Sequence, residues 1–211
     1  MGQYYKTIIK KRNGRYKVYN RDVIGKDGKK EYTLAKLMEH SWFYNEFVNA
    51  VCFDIYNSDK PIKVAWVGDY AKDFLECNCY LFFNGLSQSD IEKLTDLCWD
   101  RDGDAVEITD FMLFDKYILN HDKKTYLNCS AFYKNNIMQE TEDGGWCLHP
   151  LPLLTCIGNG MGCGDYNYPT EDSTPELVGR WAWNRISIED NAPDDKEYTE
   201  INPIFKEKGW D

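Results

Sequence analysis

The chain has 211 residues, of which 43% are hydrophobic and 15% aromatic. That is enough to bury a core without a disulfide scaffold, and it excludes a disordered chain. A net charge of −10 disfavours direct nucleic-acid binding and favours a basic partner.

The charge is unevenly spread. Residues 1–30 carry ten Lys and Arg against two Asp, a net of +8, so residues 31–211 sum to −18. The opening MGQYYKTIIK lacks the apolar stretch of a signal peptide. No run of about 18 apolar residues occurs, so no membrane helix is expected and a cytosolic protein is. In that compartment the eight cysteines should be packing thiols or metal ligands rather than bridges.

In chain order, residues 1–30 read as a basic hairpin. Its strands meet at Asn13-Gly14, and a second turn follows at Asp27-Gly28, both dipeptides that tolerate positive φ. The alternating lysines suit a solvated face or a guarded edge. A short helix is expected over 34–40. Tyr44, Phe47, Val48, Val51, Cys52 and Ile55 recur at helical spacing, so 44–57 is expected to be an amphipathic helix. PIKVAWVGDY, 61–70, reads as a buried strand. SDIEKLTDLCWD, 89–100, reads as a helix opened by a capping box. Further strands are expected at 110–119, 124–129, 145–156, 179–189 and 197–201. The prolines of CLHPLPLLTC place that segment at an edge or a strand end. The fold class is α+β: a mainly antiparallel sheet with two or three helices in a single compact domain.

Residues able to do chemistry are few. The histidines are His40, His121 and His149. Cys77 and Cys79 form a Cys-x-Cys pair whose thiols share one side of an extended segment, with Cys98 able to close in from the helix. Cys147 and His149 repeat that i, i+2 spacing, and Cys156 and Cys163 flank the glycine loop. A four-ligand zinc site can therefore be drawn from Cys77, Cys79, Cys98 and a histidine, or from Cys147, His149, Cys156 and Cys163. Neither set has the regular spacing of a zinc ribbon. GNGMGCGDY lacks the G-x-G-x-x-G and GK[ST] patterns, so it reads as a loop needing positive φ rather than a phosphate cradle. DRDGDAVEITD, 100–110, has its glycine and closing acid misplaced for a calcium loop. No nucleophile elbow or HExxH helix is present.

Several segments, MGQYYK, KLMEHSW, VAWVGDYA, LNHDKKTY, HPLPLLT followed by GNGMGCGDY, and VGRWAWNRISIED, carry a resemblance. Nearly end to end and in order, the chain resembles a family of small phage and prophage proteins of Firmicutes. The resemblance extends to anti-CRISPR proteins that act on type II effector nucleases. It implies a phage inhibitor in the host cytoplasm, which binds a basic defence nuclease and blocks DNA loading or cleavage. RNA-guided nucleases hold nucleic acid in basic channels, which an acidic protein could occupy.

His40, His121, His149, Asp69 and Asp165 fall inside the family segments. Cys98 lies where the family shows an L-x-x-L-C pattern, whereas Cys77, Cys79, Cys156 and Cys163 lie outside it. The resemblance thus implies a structural zinc of mixed ligands, His40, His149 and Cys98 among them. Two alternatives stand beside it: a metal-dependent hydrolase using histidines with Asp69 or Asp165, and a phage accessory protein with another partner.

Overall fold

The structure is a computed structural model that describes residues 2–10, 16–32, 36–68, 70–71, 104–107, 109–141 and 144–208. Twelve strands are described: β1 (Tyr5–Lys10), β2 (Tyr16–Ile24), β3 (Lys30–Tyr32), β4 (Ile62–Gly68), β5 (Asp104–Glu107), β6 (Tyr117–Asn120), β7 (Thr125–Asn128), β8 (Gln139–Thr141), β9 (Gly144–Trp146), β10 (Cys156–Ile157), β11 (Arg185–Glu189) and β12 (Thr199–Glu200). The described helices are α1 (Leu37–His40), α2 (Glu46–Tyr56), α3 (Cys129–Asn136) and α4 (Pro150–Thr155).

The main sheet runs β12-β7-β6-β11-β4-β1-β2-β3, with β10 also on β4 and β5 also on β2. Most pairs are antiparallel; β10 on β4, β12 on β7 and β5 on β2 are parallel. The fold is α+β with a mainly antiparallel sheet, as the sequence predicts.

Register decides which face is inside, because paired residues point to the same side. Thr7 lies opposite both Tyr19 and Trp66, and Ile9 opposite Lys17 and Val64. Ile186 pairs with Ile62 and Asn120. The face carrying Ile9, Tyr19, Val64, Trp66, Ile118 and Ile186 packs into one buried cluster with Val48, Val51 and Ile55 of α2 and Leu151, Leu153 and Leu154 of α4. On α2, the Asn45 side chain accepts the Val48 N–H, an N-cap that fixes where the helix starts.

Several expectations need correction. The strand expected at 145–156 is β9, a short link, then helix α4, then β10. Pro150 opens α4 at a position where a missing N–H costs nothing, and the His149 ring caps it by accepting the Leu151 N–H. The strand expected at 124–129 stops at Asn128, whose side chain accepts the Ser130 and Ala131 N–H groups and starts α3. The strands expected at 110–119 and 179–189 are confined to their last residues, in β6 and β11. The helix expected at 89–100 lies outside the described residues.

Candidate functional site

The glycine loop after α4 is folded around a carboxylate of its own. Asp165 is only 3% exposed. Its Oδ2 accepts the N–H groups of Gly160, Met161 and Gly162, each at 3.0 Å. Tyr5 Oη donates to Oδ1 at 2.8 Å. Gln3 Nε2 lies 2.9 Å from Oδ2, 2.7 Å from Gly158 O and 2.7 Å from Tyr5 Oη. Burial, with the nearby Cys156 and Asp165, pushes the Tyr5 phenol well up, so it is a neutral donor. A ring of backbone N–H groups of this kind is an anion-binding nest. Here the anion is Asp165 itself, which leaves the loop a structural knot rather than a phosphate site. Gly160 has φ +90, and a Cβ on Gly162 would stand 2.6 Å from Gln3 Cβ; neither position takes a side chain without strain.

The knot gathers segments from three parts of the sequence. Gln3 N–H donates to Cys163 O, and Met38 N–H to Gly164 O. The Tyr70 N–H donates to Gln3 Oε1 at 3.3 Å. Gln3 and Tyr5 are the partners that sequence reasoning missed. The usable signal was local: an Asp closing a run of alternating glycines is apt to bond the backbone it follows.

The three histidines occupy three different settings. His149 is fully buried and stacks on Phe43, with ring centroids 5.6 Å apart. Its Nδ1 accepts the Leu151 N–H at 3.1 Å, so the neutral ring carries its proton on Nε2, which lies 3.6 Å from Cys52 Sγ. Burial lowers its pKa to about 3. His40, at the end of α1, accepts the Lys36 N–H on Nδ1 at 3.3 Å. Burial lowers its pKa as well.

His121 sits in the β6–β7 turn. Its Nε2 lies 2.8 Å from Ser187 Oγ on β11 and its Nδ1 2.9 Å from Tyr198 Oη. Beside it, Arg185 donates N–H and Nε–H to the two oxygens of Asp122, each at 2.7 Å. Burial lowers the His121 pKa, with Arg185 and Lys124 adding to the effect and Glu189 and Asp122 opposing it. LNHDKKTY and VGRWAWNRISIED thus meet here. A Ser–His contact alone is not a nucleophile site. Activation would require Nδ1–H to donate, and the group at Nδ1 is a phenol rather than a carboxylate. Ser187 itself is buried in mid-strand.

The metal reading fares as follows. Cys77, Cys79, Cys98 and Asp69 lie outside the described residues. Among the described residues, no group of three or more His, Cys, Asp or Glu is placed to hold a metal ion. Cys147 donates its thiol to Leu148 O and Cys156 to Leu153 O, while Cys163 is exposed. Burial pushes the Cys147 thiol up to about 12 and raises Cys156 as well. Cys147, His149, Cys156 and Cys163 are not brought together as such a group among the described residues.

What remains conspicuous is the distribution of charge over the sheet. In the strand order the lysine-rich β1–β3 segment stands with β5 toward one end, and β12 stands at the other. Residues 171–200 carry nine Asp and Glu against three Lys and Arg. Glu189, Asp190, Asp194, Asp195, Glu197 and Glu200 are all exposed. This rim is held in place: Tyr198 by His121, Thr199 N–H by Lys124 O, and Ile201 N–H by Tyr126 O. Among the described residues no helix is long and apolar enough to cross a membrane.

Comparison with known proteins finds no matching family model, no matching curated protein and no matching solved structure.

Proposed function

We propose that the chain is a phage-encoded anti-defence inhibitor whose acidic rim docks on a basic, nucleic-acid-binding surface of a type II RNA-guided nuclease in the host cytoplasm. The observation that carries this reading is the cluster of exposed carboxylates along residues 189–200, held beside β7 and away in the strand order from the lysines of β1 and β2. A preformed acidic strip spends little conformational entropy on binding, and it steers a basic partner at long range. The lysine-bearing strands β1 and β2 then lie away from the partner.

The test is direct. The purified protein is mixed with a panel of type II effectors. Co-elution with one of them and loss of target cleavage, both weakening as salt rises, are expected. No co-elution and undiminished cleavage across the panel would overturn the reading.

A structural zinc belongs to the same proposal. With Cys147 and His149 committed elsewhere, its ligands would be Cys77, Cys79 and Cys98, with His40 through Nε2. About one zinc per chain, lost on Cys98→Ser, is the expected elemental analysis. Zinc-free protein with full inhibition would remove the metal and leave the inhibitor.

A further inference from the structure

The loop after α4 carries a second chemical feature, the pair Asn159-Gly160. An Asn side chain is most open to attack by its own backbone when Gly follows, because Gly has no side chain to shield its nitrogen. The Gly160 nitrogen bonds to Asn159 Cγ and closes a five-membered succinimide. The Cγ–Nδ2 bond breaks, and the Gly160 proton leaves with the ammonia, relayed by water. Water then opens the ring to aspartate or isoaspartate. The reaction needs no oxidant and no group beyond water.

Burial does not guard this pair. Gly160 is exposed and Asn159 is half-buried, so water reaches both. What opposes the attack is bonding at both reacting ends. Asn159 Oδ1 accepts the Tyr166 N–H at 2.8 Å, and its Nδ2 donates to Tyr166 O at 3.1 Å. The amide cannot turn toward Gly160 without giving up these bonds. The Gly160 N–H donates to Asp165 Oδ2 at 3.0 Å. Loss of its proton, which makes the nitrogen a nucleophile, would set a second negative charge beside that carboxylate. The near-attack arrangement is therefore reached only when the knot opens.

The products do not fit the knot. Either acid replaces the Nδ2 donor with an oxygen, so a carboxylate faces Tyr166 O and the acceptor is left unmatched. Isoaspartate also adds one methylene to the backbone within residue 159. The loop is pinned on both sides of that residue, at Gly158 O by Gln3 Nε2 at 2.7 Å and at Gly160 N–H by Asp165. It has no slack for an extra atom.

We propose that Asn159 is a latent deamidation site that the Asp165 knot holds shut, and that one conversion makes an opening of the knot permanent. The site concerns this loop alone, and its failure leaves the inhibitor reading untouched.

The experiment follows the full chain at mildly alkaline pH by peptide-resolved mass spectrometry, native and unfolded in guanidinium. Resolution by peptide is needed because Asn13-Gly14 and Asn84-Gly85, outside the described residues, carry the same pair. Conversion at Asn159 in the native chain tracks the open fraction of the loop, so it is expected to be slower than in the unfolded chain by about tenfold or more. Tyr5→Phe removes one bond to Asp165 and should speed native conversion. Chain deamidated in guanidinium and then refolded should lose hydrogen-exchange protection at the Gly160 and Tyr166 amides. Equal conversion in native and unfolded chain overturns the guard, and so does a folded Tyr5→Phe that converts no faster than wild type. Full amide protection in the refolded product overturns the permanence. The comparison of native and unfolded wild type decides the matter even if the variant fails to fold.

Discussion

Asp165 is a buried charge that the fold fully answers, and such groups are costly to break on one side. Asp165→Asn keeps the size but turns an amide N–H₂ toward a site ringed by donors. With three backbone N–H groups and Tyr5 Oη left poorly matched, a loss of about 3 kcal/mol or more is expected in denaturant unfolding. A change under about 0.5 kcal/mol would show that the carboxylate does not organise the loop. His149 makes a prediction in pH. Its pKa falls from the ordinary 6.5 to about 3 in the folded chain. Above the ordinary value the ring is neutral in both states and costs nothing. As pH drops below it, the unfolded chain takes the proton and the folded one does not. Stability is then lost at about 1.4 kcal/mol per pH unit, down toward the folded value. His149→Asn retains a capping oxygen without the titration. Comparing unfolding of the two proteins between about pH 7 and about pH 4 should show the wild type losing more stability; parallel curves would sink the assignment.

Among the elements, α3 and α4 are the instructive ones. Asn128 caps α3 with two N–H bonds, so Asn128→Ala should cost about 1 kcal/mol. Pro150→Ala should move stability by less than about 1 kcal/mol, because the first helical position needs no N–H partner; a strand at this place would respond differently, gaining a ladder donor. Both effects are read from denaturant midpoints. The sequence reading of these elements failed for a physical reason. Short segments hold too few residues for period 2 and period 3.6 to separate. PLPLL is apolar throughout and every residue of α4 is buried, so no face shows. α2, with eleven residues and one polar side, was legible, as were the β1–β2 pair and β4. The candidate sites divide in the same way. His149 and Asp165 are visible as residue types, but their partners are not. Gln3 stands 162 positions from Asp165, and Ser187 stands 66 from His121. Only the register of distant strands joins them.

For the molecule as a whole, the sheet order sets the lysines of β1 and β2 apart from the carboxylates of residues 189–200. Reversal of Asp194, Asp195 and Glu197 to Lys should abolish co-elution with a susceptible effector while leaving the unfolding midpoint within about 0.5 kcal/mol, since all three are exposed. Undiminished binding by the triple variant would move the interface elsewhere. The knot also sets a clock. Gln3 cannot find Asp165 until 162 further residues have been made, which takes roughly 8–30 s at about 5–20 residues per second. Nor can β1 gain its inner neighbour until β4 is made, or β4 gain β11 until residue 185 has emerged. For that interval the nascent chain exposes a hairpin with one apolar face. Lysines along such strands disfavour the pairing of two unfinished chains edge to edge during that interval.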